Sequence, residues 1–533
     1  MKWALSWLKT NSVMLINSGS LVGATFVNSV LGFLYWWVAA RLYTPDVVGA
    51  SSAAVSSMML LGTFCMLGLG TLLITEIPRK PEQAVPLISI SLLVVGVAGA
   101  AIGFLFAVIA PLFTSQFSYL NTTFTDPIAY AAGVSLTPIV LVLDQALMGL
   151  LRGMEQFYRN TIFAVVKLIA LWLASVLFAH LTGMNVYTTW TLGNLFSLLV
   201  VVPALLKSKR PLREYFPQLK LLRRLGKDAV QHHLLNTMLQ FTSFALPTIV
   251  TVMLSTRVNA IFYIAWMLVN FIYYITSALT IVLHAMNSAQ HSTLGQKARM
   301  TIGISVVTSV VACLILQIGT TQILGVFGSI YVDGTWTLRV LLLAAFPLII
   351  KNHYIAICRI QDRVKQAMWL VGPGCVVELA AAITGAAKGG LLGLTIGWVA
   401  AVFLEAIFML PAVARVVIMK KSSVAPQEDV LMDEAAEAIW LIETTRLPAI
   451  DTGRIPIVKP IRSHSPASAT PRRAWSASAA DPAHRKAHHL KPLRLEHLTS
   501  APEQDDSLVG QNNLVPHHSD PLLVERRNTA RPH

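Results

Sequence analysis

Pro86 to Ala110 reads PLISISLLVVGVAGAAIGFLFAVIA, twenty-five residues with no charge among them. As an α-helix this stretch is about 37 Å long, enough to cover the roughly 30 Å of hydrocarbon in a bilayer. Stretches of the same kind fall at 12–38, 47–74, 127–151, 161–180, 188–206, 229–254, 258–286, 299–320, 336–357, 366–386 and 391–418, which makes twelve. Hydrophobic residues make up 55% of the 533, and charged residues only 13%, about half the charged share of a soluble domain. A water-soluble chain of this length could not hide so much apolar surface, so lipid is its solvent. Met1–Lys9 precedes a first stretch too long for a signal-peptide core, with no small-residue cleavage site. It reads as the start of a retained helix.

The formal charge of +15 invites a nucleic-acid reading until it is divided. Residues 1–421 hold 28 Lys+Arg against 12 Asp+Glu, while 422–533 hold 13 against 14. The excess sits on the membrane part, where it reports orientation; no nucleic-acid partner is implied. With the N-terminus inside, the inner segments carry 22 cations, eight of them in 207–227, and the outer segments only Arg41, Arg257, Arg339 and Lys388. One helix more or fewer would scramble that alternation. Twelve helices with both termini cytoplasmic are expected, and Trp36, Trp37, Trp190 and Trp336 fall near outer ends, as interfacial aromatics do.

The fold class is therefore all-α integral membrane. The organisation is an N-terminal six-helix bundle over 1–206, a basic cytoplasmic loop over 207–228, a C-terminal six-helix bundle over 229–421 and a mostly disordered cytoplasmic tail over 422–533. A weak repeat supports two bundles related by a pseudo-two-fold along the membrane normal. Leu151-Arg152-x-x-Glu155 lies against Cys358-Arg359-x-x-Asp362, and the stretch after Thr44 lies against that after Thr256. The tail is too poor in apolar residues for a core. Only Glu428–Arg446 has helical apolar spacing, as a docking helix for a cytoplasmic partner or as a transient helix without one. Near an anionic inner leaflet the eight loop cations would each gain on the order of 1 kcal/mol, anchoring the topology or recruiting an acidic partner.

No phosphate-binding glycine loop, G-x-S-x-G or H-E-x-x-H is present, and the short outer loops disfavour a glycan-processing membrane enzyme. No enzyme, cofactor or metal is expected. The histidines 484, 488 and 489 lack ligand spacing, and Cys65, Cys313, Cys358 and Cys375 sit in apolar runs without a CxxC pair. The chemistry left is charge inside the bilayer, where an ionised side chain costs roughly 2.5–3.5 kcal/mol on insertion scales. Five residues qualify: Asp144, Lys167, Lys351, Glu378 and Glu405. Asp144 and Lys167 lie at equal depth on consecutive helices and can meet, either to fasten them or to handle substrate or ion. Lys351 stands eight residues before Arg359 as Asp144 does before Arg152, has no evident partner, and reads as a cavity cation.

Three segments resemble a known family. They are Ala40-Arg41-Leu42-Tyr43-Thr44-Pro45-Asp46-Val47-Val48-Gly49, Leu67-Gly68-Leu69-Gly70-Thr71 with Pro78 after it, and Leu143-Asp144-Gln145-Ala146-Leu147-Met148-Gly149-Leu150-Leu151-Arg152. The chain over 12–418 resembles the polysaccharide-biosynthesis flippases, oligosaccharide exporters of the multidrug/oligosaccharidyl-lipid/polysaccharide (MOP) superfamily. Thr75 departs from the pattern, since many relatives carry an Arg there. The resemblance implies export of a lipid-linked oligosaccharide across the cytoplasmic membrane by alternating access, with membrane lipids around it. Lys167 and Lys351 would contact phosphate, Asp144 would orient Lys167 or couple an ion, and Arg41 would guard the outer mouth. Glu378 and Glu405 are further candidates for ion coupling. The rival readings are a drug/cation antiporter of the same superfamily, which the two intramembrane lysines disfavour, and a major-facilitator transporter. The latter's signature between helices 2 and 3 is absent from Ile77-Pro-Arg-Lys-Pro-Glu82.

Overall fold

In lipid every backbone N–H and C=O must be satisfied within the protein, and among the described residues every regular element is helical. The computed structural model describes residues 12–178, 182–206, 227–287 and 294–418, with Phe216 and Lys220. The first nine residues, most of the 207–228 loop and the whole 422–533 tail lie outside the described residues. In chain order the helices are α1 (Ser12–Leu42), α2 (Pro45–Cys65), α3 (Leu69–Arg79), α4 (Ala84–Phe113), α5 (Thr125–Gly149), α6 (Gly153–Leu177) and α7 (Gly183–Leu206). Then come α8 (Lys227–Met253), α9 (Thr256–Asn287), α10 (Leu294–Ile318), α11 (Thr320–Phe327), α12 (Thr335–Leu343), α13 (Ala345–Ile360) and α14 (Val364–Ile418).

Among the described residues, eight helical segments are long and apolar enough to cross a membrane. One of them, α14, has 55 residues, far more than one crossing needs. It reverses where Gly390 takes φ 57 and ψ −141, a conformation that a side chain would strain. The two arms then run so close that a side chain on Gly385 would sit 2.1 Å from the Gly393 carbonyl oxygen. This break matches the gap between the expected stretches 366–386 and 391–418. The expected stretch 47–74, in contrast, is two helices, α2 and α3, parted at Leu67 and Gly68 with φ 51 and 79. No polar residue marks that turn.

Helix position follows side-chain size. From Val48 to Met58 every residue of α2 is buried, and most are Gly, Ala or Ser, the small residues that let helices approach in lipid. The hydroxyls of Ser51, Ser52 and Ser57 are returned to their own helix, to the carbonyls of Val48, Gly49 and Ala54. α4 and α10 are peripheral: Leu93, Val97, Leu105, Val307, Leu314 and Ile318 are exposed, a face that suits lipid and would be a liability in water. The four cysteines are free and buried.

Helix ends recur at a fixed interval. Leu42 and Met253, Pro45 and Thr256, Gly149 and Ile360, and Gly153 and Val364 are each 211 residues apart. The turns after α5 and α13 also share a geometry. Leu151 and Asp362 have φ 55 and 53, while Arg152 N donates to Leu147 O at 2.8 Å and Arg363 N to Cys358 O at 2.7 Å. Leu151 therefore matches Asp362, one helical turn from the expected Arg152–Arg359 alignment. In this register Lys351 falls on Val140 rather than Asp144, and Glu378 falls on Lys167.

Candidate functional site

A cavity of about 230 Å³ lies between the first half (α1, α2, α7) and the second (α8, α9). α9 presents Tyr263, Trp266, Asn270, Phe271 and Tyr274 to it, a spacing of three and four residues that puts them on one helix face. α1 contributes Asn28, Gly32, Phe33 and Trp36 in the same way, and α7 adds Trp190. Ser29, Ser56 and Ser243 supply hydroxyls, and among the described residues no charged one lines the cavity. Trp36 and Tyr263 close across the halves with ring centroids 4.6 Å apart. Trp36 and Trp190, expected at the membrane interface, are thus turned inward. The Nδ2 of Asn28 donates to Asn160 Oδ1 at 2.6 Å, while its Oδ1 accepts no hydrogen bond.

The halves are hydrogen-bonded to each other at the end of the bundle that carries Thr44. Asn259 Nδ2 donates to Gly49 O at 2.9 Å and Ser52 Oγ at 3.0 Å. Thr256 Oγ1 donates to Asp46 Oδ1 at 3.3 Å, and Thr256 N to Gln116 Oε1. Arg41 Nε and Trp37 Nε1 both donate to Val326 O, at 2.8 and 3.1 Å. Only glycine fits at position 49, because a side chain there would reach within 1.7 Å of the Thr256 carbonyl oxygen.

The intramembrane charges form separate groups, and none of them lines the cavity. Asp144 is held by Arg159, which donates from Nε to Oδ1 at 2.6 Å and from Nη2 to Oδ2. Arg159 also reaches Asn160 Oδ1 at 3.0 Å and Ser197 Oγ at 3.4 Å. The expected Asp144–Lys167 pair therefore does not form: a bidentate guanidinium already satisfies the carboxylate. Lys167, 2% exposed, lies instead among rings, with its ammonium 3.9 Å from the Trp190 centroid, 4.3 Å from Phe163 and 5.4 Å from Tyr35. Lys351, expected to be unpaired, has two partners, Glu378 at 2.5 Å and Glu405 at 2.6 Å. Trp398 Nε1 donates to the other oxygen of Glu378 at 3.0 Å, and Glu405 Oε1 accepts no hydrogen bond. Arg41 belongs to none of these groups: its Nε donates to Val326 O, at the Thr44 end. Among the described residues no three His, Cys, Asp or Glu side chains converge as a metal site requires.

Two features escaped the reading of the sequence. Arg159 stands outside the expected stretch 161–180, yet it is buried in α6, which begins at Gly153; nothing in the apolar pattern marks it. The ring stripe on α9 was legible as a three-four spacing, but such a stripe is ordinary in a membrane helix.

The profile of the polysaccharide biosynthesis protein family matches residues 14–280. No curated protein matches the chain. Among solved structures, the chain is similar to an inward-facing multidrug resistance MATE family transporter of the MOP superfamily, at 17% identity and a TM-score of 0.58, covering 74% of this chain and 96% of that one. A MATE in complex with MaL6 is 14% identical with a TM-score of 0.53, covering 76% and 96%. An outward-facing MATE of the same superfamily is 16% identical with a TM-score of 0.50, covering 77% and 97%. The family profile spans half of the sequence and the structural likeness most of it: the chain belongs to the polysaccharide biosynthesis protein family and has the fold of the MATE transporters of the MOP superfamily.

Proposed function

We propose that the chain moves a lipid-linked oligosaccharide, or a related glycan precursor, across the cytoplasmic membrane by alternating access. The reading takes the protein as two six-helix bundles, twelve crossings in all, related by a pseudo-two-fold, with both termini inside. The observation that carries it is a cavity between the halves, beneath an end where they are hydrogen-bonded together. The positive-inside bias makes the Thr44 end the outer one, so this state is closed outside. A cavity closed toward one side and rimmed by separable contacts is what a rocking transporter needs.

Lys351, Glu378 and Glu405 supply the coupling in this reading. Two carboxylates against one ammonium leave an excess negative charge, which burial makes costly unless a proton or cation joins it. Glu405, whose Oε1 accepts no hydrogen bond, is the receiving side chain. A second reading, export of lipophilic cations, is favoured by the uncharged ring-lined cavity, since ring faces attract cations.

The two separate in proteoliposomes. The expected result is flipping of a fluorescent lipid-linked oligosaccharide that quickens with an ion gradient, and a Glu405→Gln variant that flips without regard to that gradient. Transport of tetraphenylphosphonium with no flipping of the glycan lipid would overturn the proposal in favour of the second reading.

A further inference from the structure

We propose that the cavity is a seat for one uncharged sugar ring, with the charged part of the substrate held outside it. This rests on the reading that the cargo carries a glycan, and it specifies which part of the cargo this cavity takes. A phosphate or diphosphate placed there would lose its hydration and meet no counter-charge from the described residues, none of which puts a charged side chain in the wall. Lys167 is no substitute: it lies outside the lining, and its ammonium is committed to the Trp190, Phe163 and Tyr35 rings.

What the wall does offer matches a pyranose on two counts. Tyr274 and Phe271, 66% and 37% exposed, supply accessible ring surface, electron-rich and suited to the weakly positive C–H groups of a sugar face. Asn28 supplies a hydrogen-bond acceptor without a donor, its Nδ2 being fixed on Asn160. A buried acceptor left unpaired costs on the order of 1–3 kcal/mol, and a sugar hydroxyl removes that cost. An acyl chain or a quaternary cation has no N–H or O–H to give it. A cation is disfavoured on a second ground as well, because the Trp190 ring already carries one ammonium at 3.9 Å. The cavity of about 230 Å³ has room for a monosaccharide ring.

The test uses the full chain in nanodiscs, with empty nanodiscs as the blank, and isothermal titration calorimetry of three probes: hexyl β-glucoside, hexyl phosphate and tetraphenylphosphonium. The glucoside should bind at least tenfold more tightly than either charged probe. Its affinity should fall about tenfold or more in Asn28→Leu and in Tyr274→Leu. Tyr274 lines the cavity but is 66% exposed, so its replacement leaves the packing intact if Asn28→Leu fails to fold. Equal or tighter binding of hexyl phosphate or tetraphenylphosphonium overturns the assignment, as does glucoside binding that Tyr274→Leu does not change. The flipping assay run in parallel keeps the two proposals apart. Flipping without glucoside binding overturns the sugar seat alone; glucoside binding without flipping supports the seat and overturns the transport reading.

Discussion

A charge buried among helices is held either by a counter-charge or by ring faces, and the two cases answer substitution in opposite ways. Removing one member of a buried ion pair leaves the other uncompensated, at about 3–5 kcal/mol. Lys351→Met would leave Glu378 and Glu405 facing each other without their shared ammonium, so it should lower the melting temperature in detergent by many degrees. Adding Glu378→Gln and Glu405→Gln to that variant should restore most of the loss, because no charge of this group then remains buried. Lys167→Met is the contrasting case. Its ammonium balances no carboxylate among the described residues, and the thioether chain packs on rings as well as the lysine stem does, so the melting temperature should hold or rise. A fall at Lys167→Met as large as at Lys351→Met would show that the ring cage does not carry that charge. Every one of these side chains was visible in the sequence as a charge inside an apolar run. Which of them pair was not, because pairing depends on helix order and on a register that was read one turn out. The same slip hid the match of Lys167 with Glu378.

Helices were the legible elements, since apolar length alone marks them, and even the reversal in α14 announced itself through Gly389-Gly390. The turn between α2 and α3 did not, because Leu67 adopts positive φ within Phe64–Gly70, a run without a polar residue. The approach of α2 to α9 was also beyond the sequence: Gly49 is an ordinary small residue until Thr256 is seen against it. That approach yields a prediction of its own. With Asp46→Cys and Thr256→Cys, oxidation in membranes should join positions whose native oxygens are 3.3 Å apart, and the joined thiols should resist maleimide–polyethylene glycol. Adding Gly49→Val forces the helices apart by its contact with the Thr256 carbonyl, and the oxidised fraction should drop several-fold. An unchanged fraction would mean that the halves do not close through this contact in the membrane.

At the scale of the whole molecule, the direction of the cavity follows from the distribution of charge. Taking Arg159 off the inner count, because it is buried against Asp144, leaves 21 inner cations against four outer ones. The bias is barely weakened, because the basic loop over 207–227 supplies eight of them. On the positive-inside reading the 207–227 loop is expected inside and the segment between α4 and α5 outside, on the same side as Thr44. Labelling single cysteines with a membrane-impermeant maleimide in intact cells tests this. Leu120, at the middle of the outer segment, is fully buried and would report protection whatever its side. Phe124, 87% exposed in the same segment, is the informative position, and Phe216, also exposed, serves for the basic loop. Phe124→Cys should label at once and Phe216→Cys only after permeabilisation. The reverse pattern would turn the protein over and make the Asn259–Gly49 end the cytoplasmic one. The cavity would then open outward, and the proposed export cycle would have to start from the opposite state.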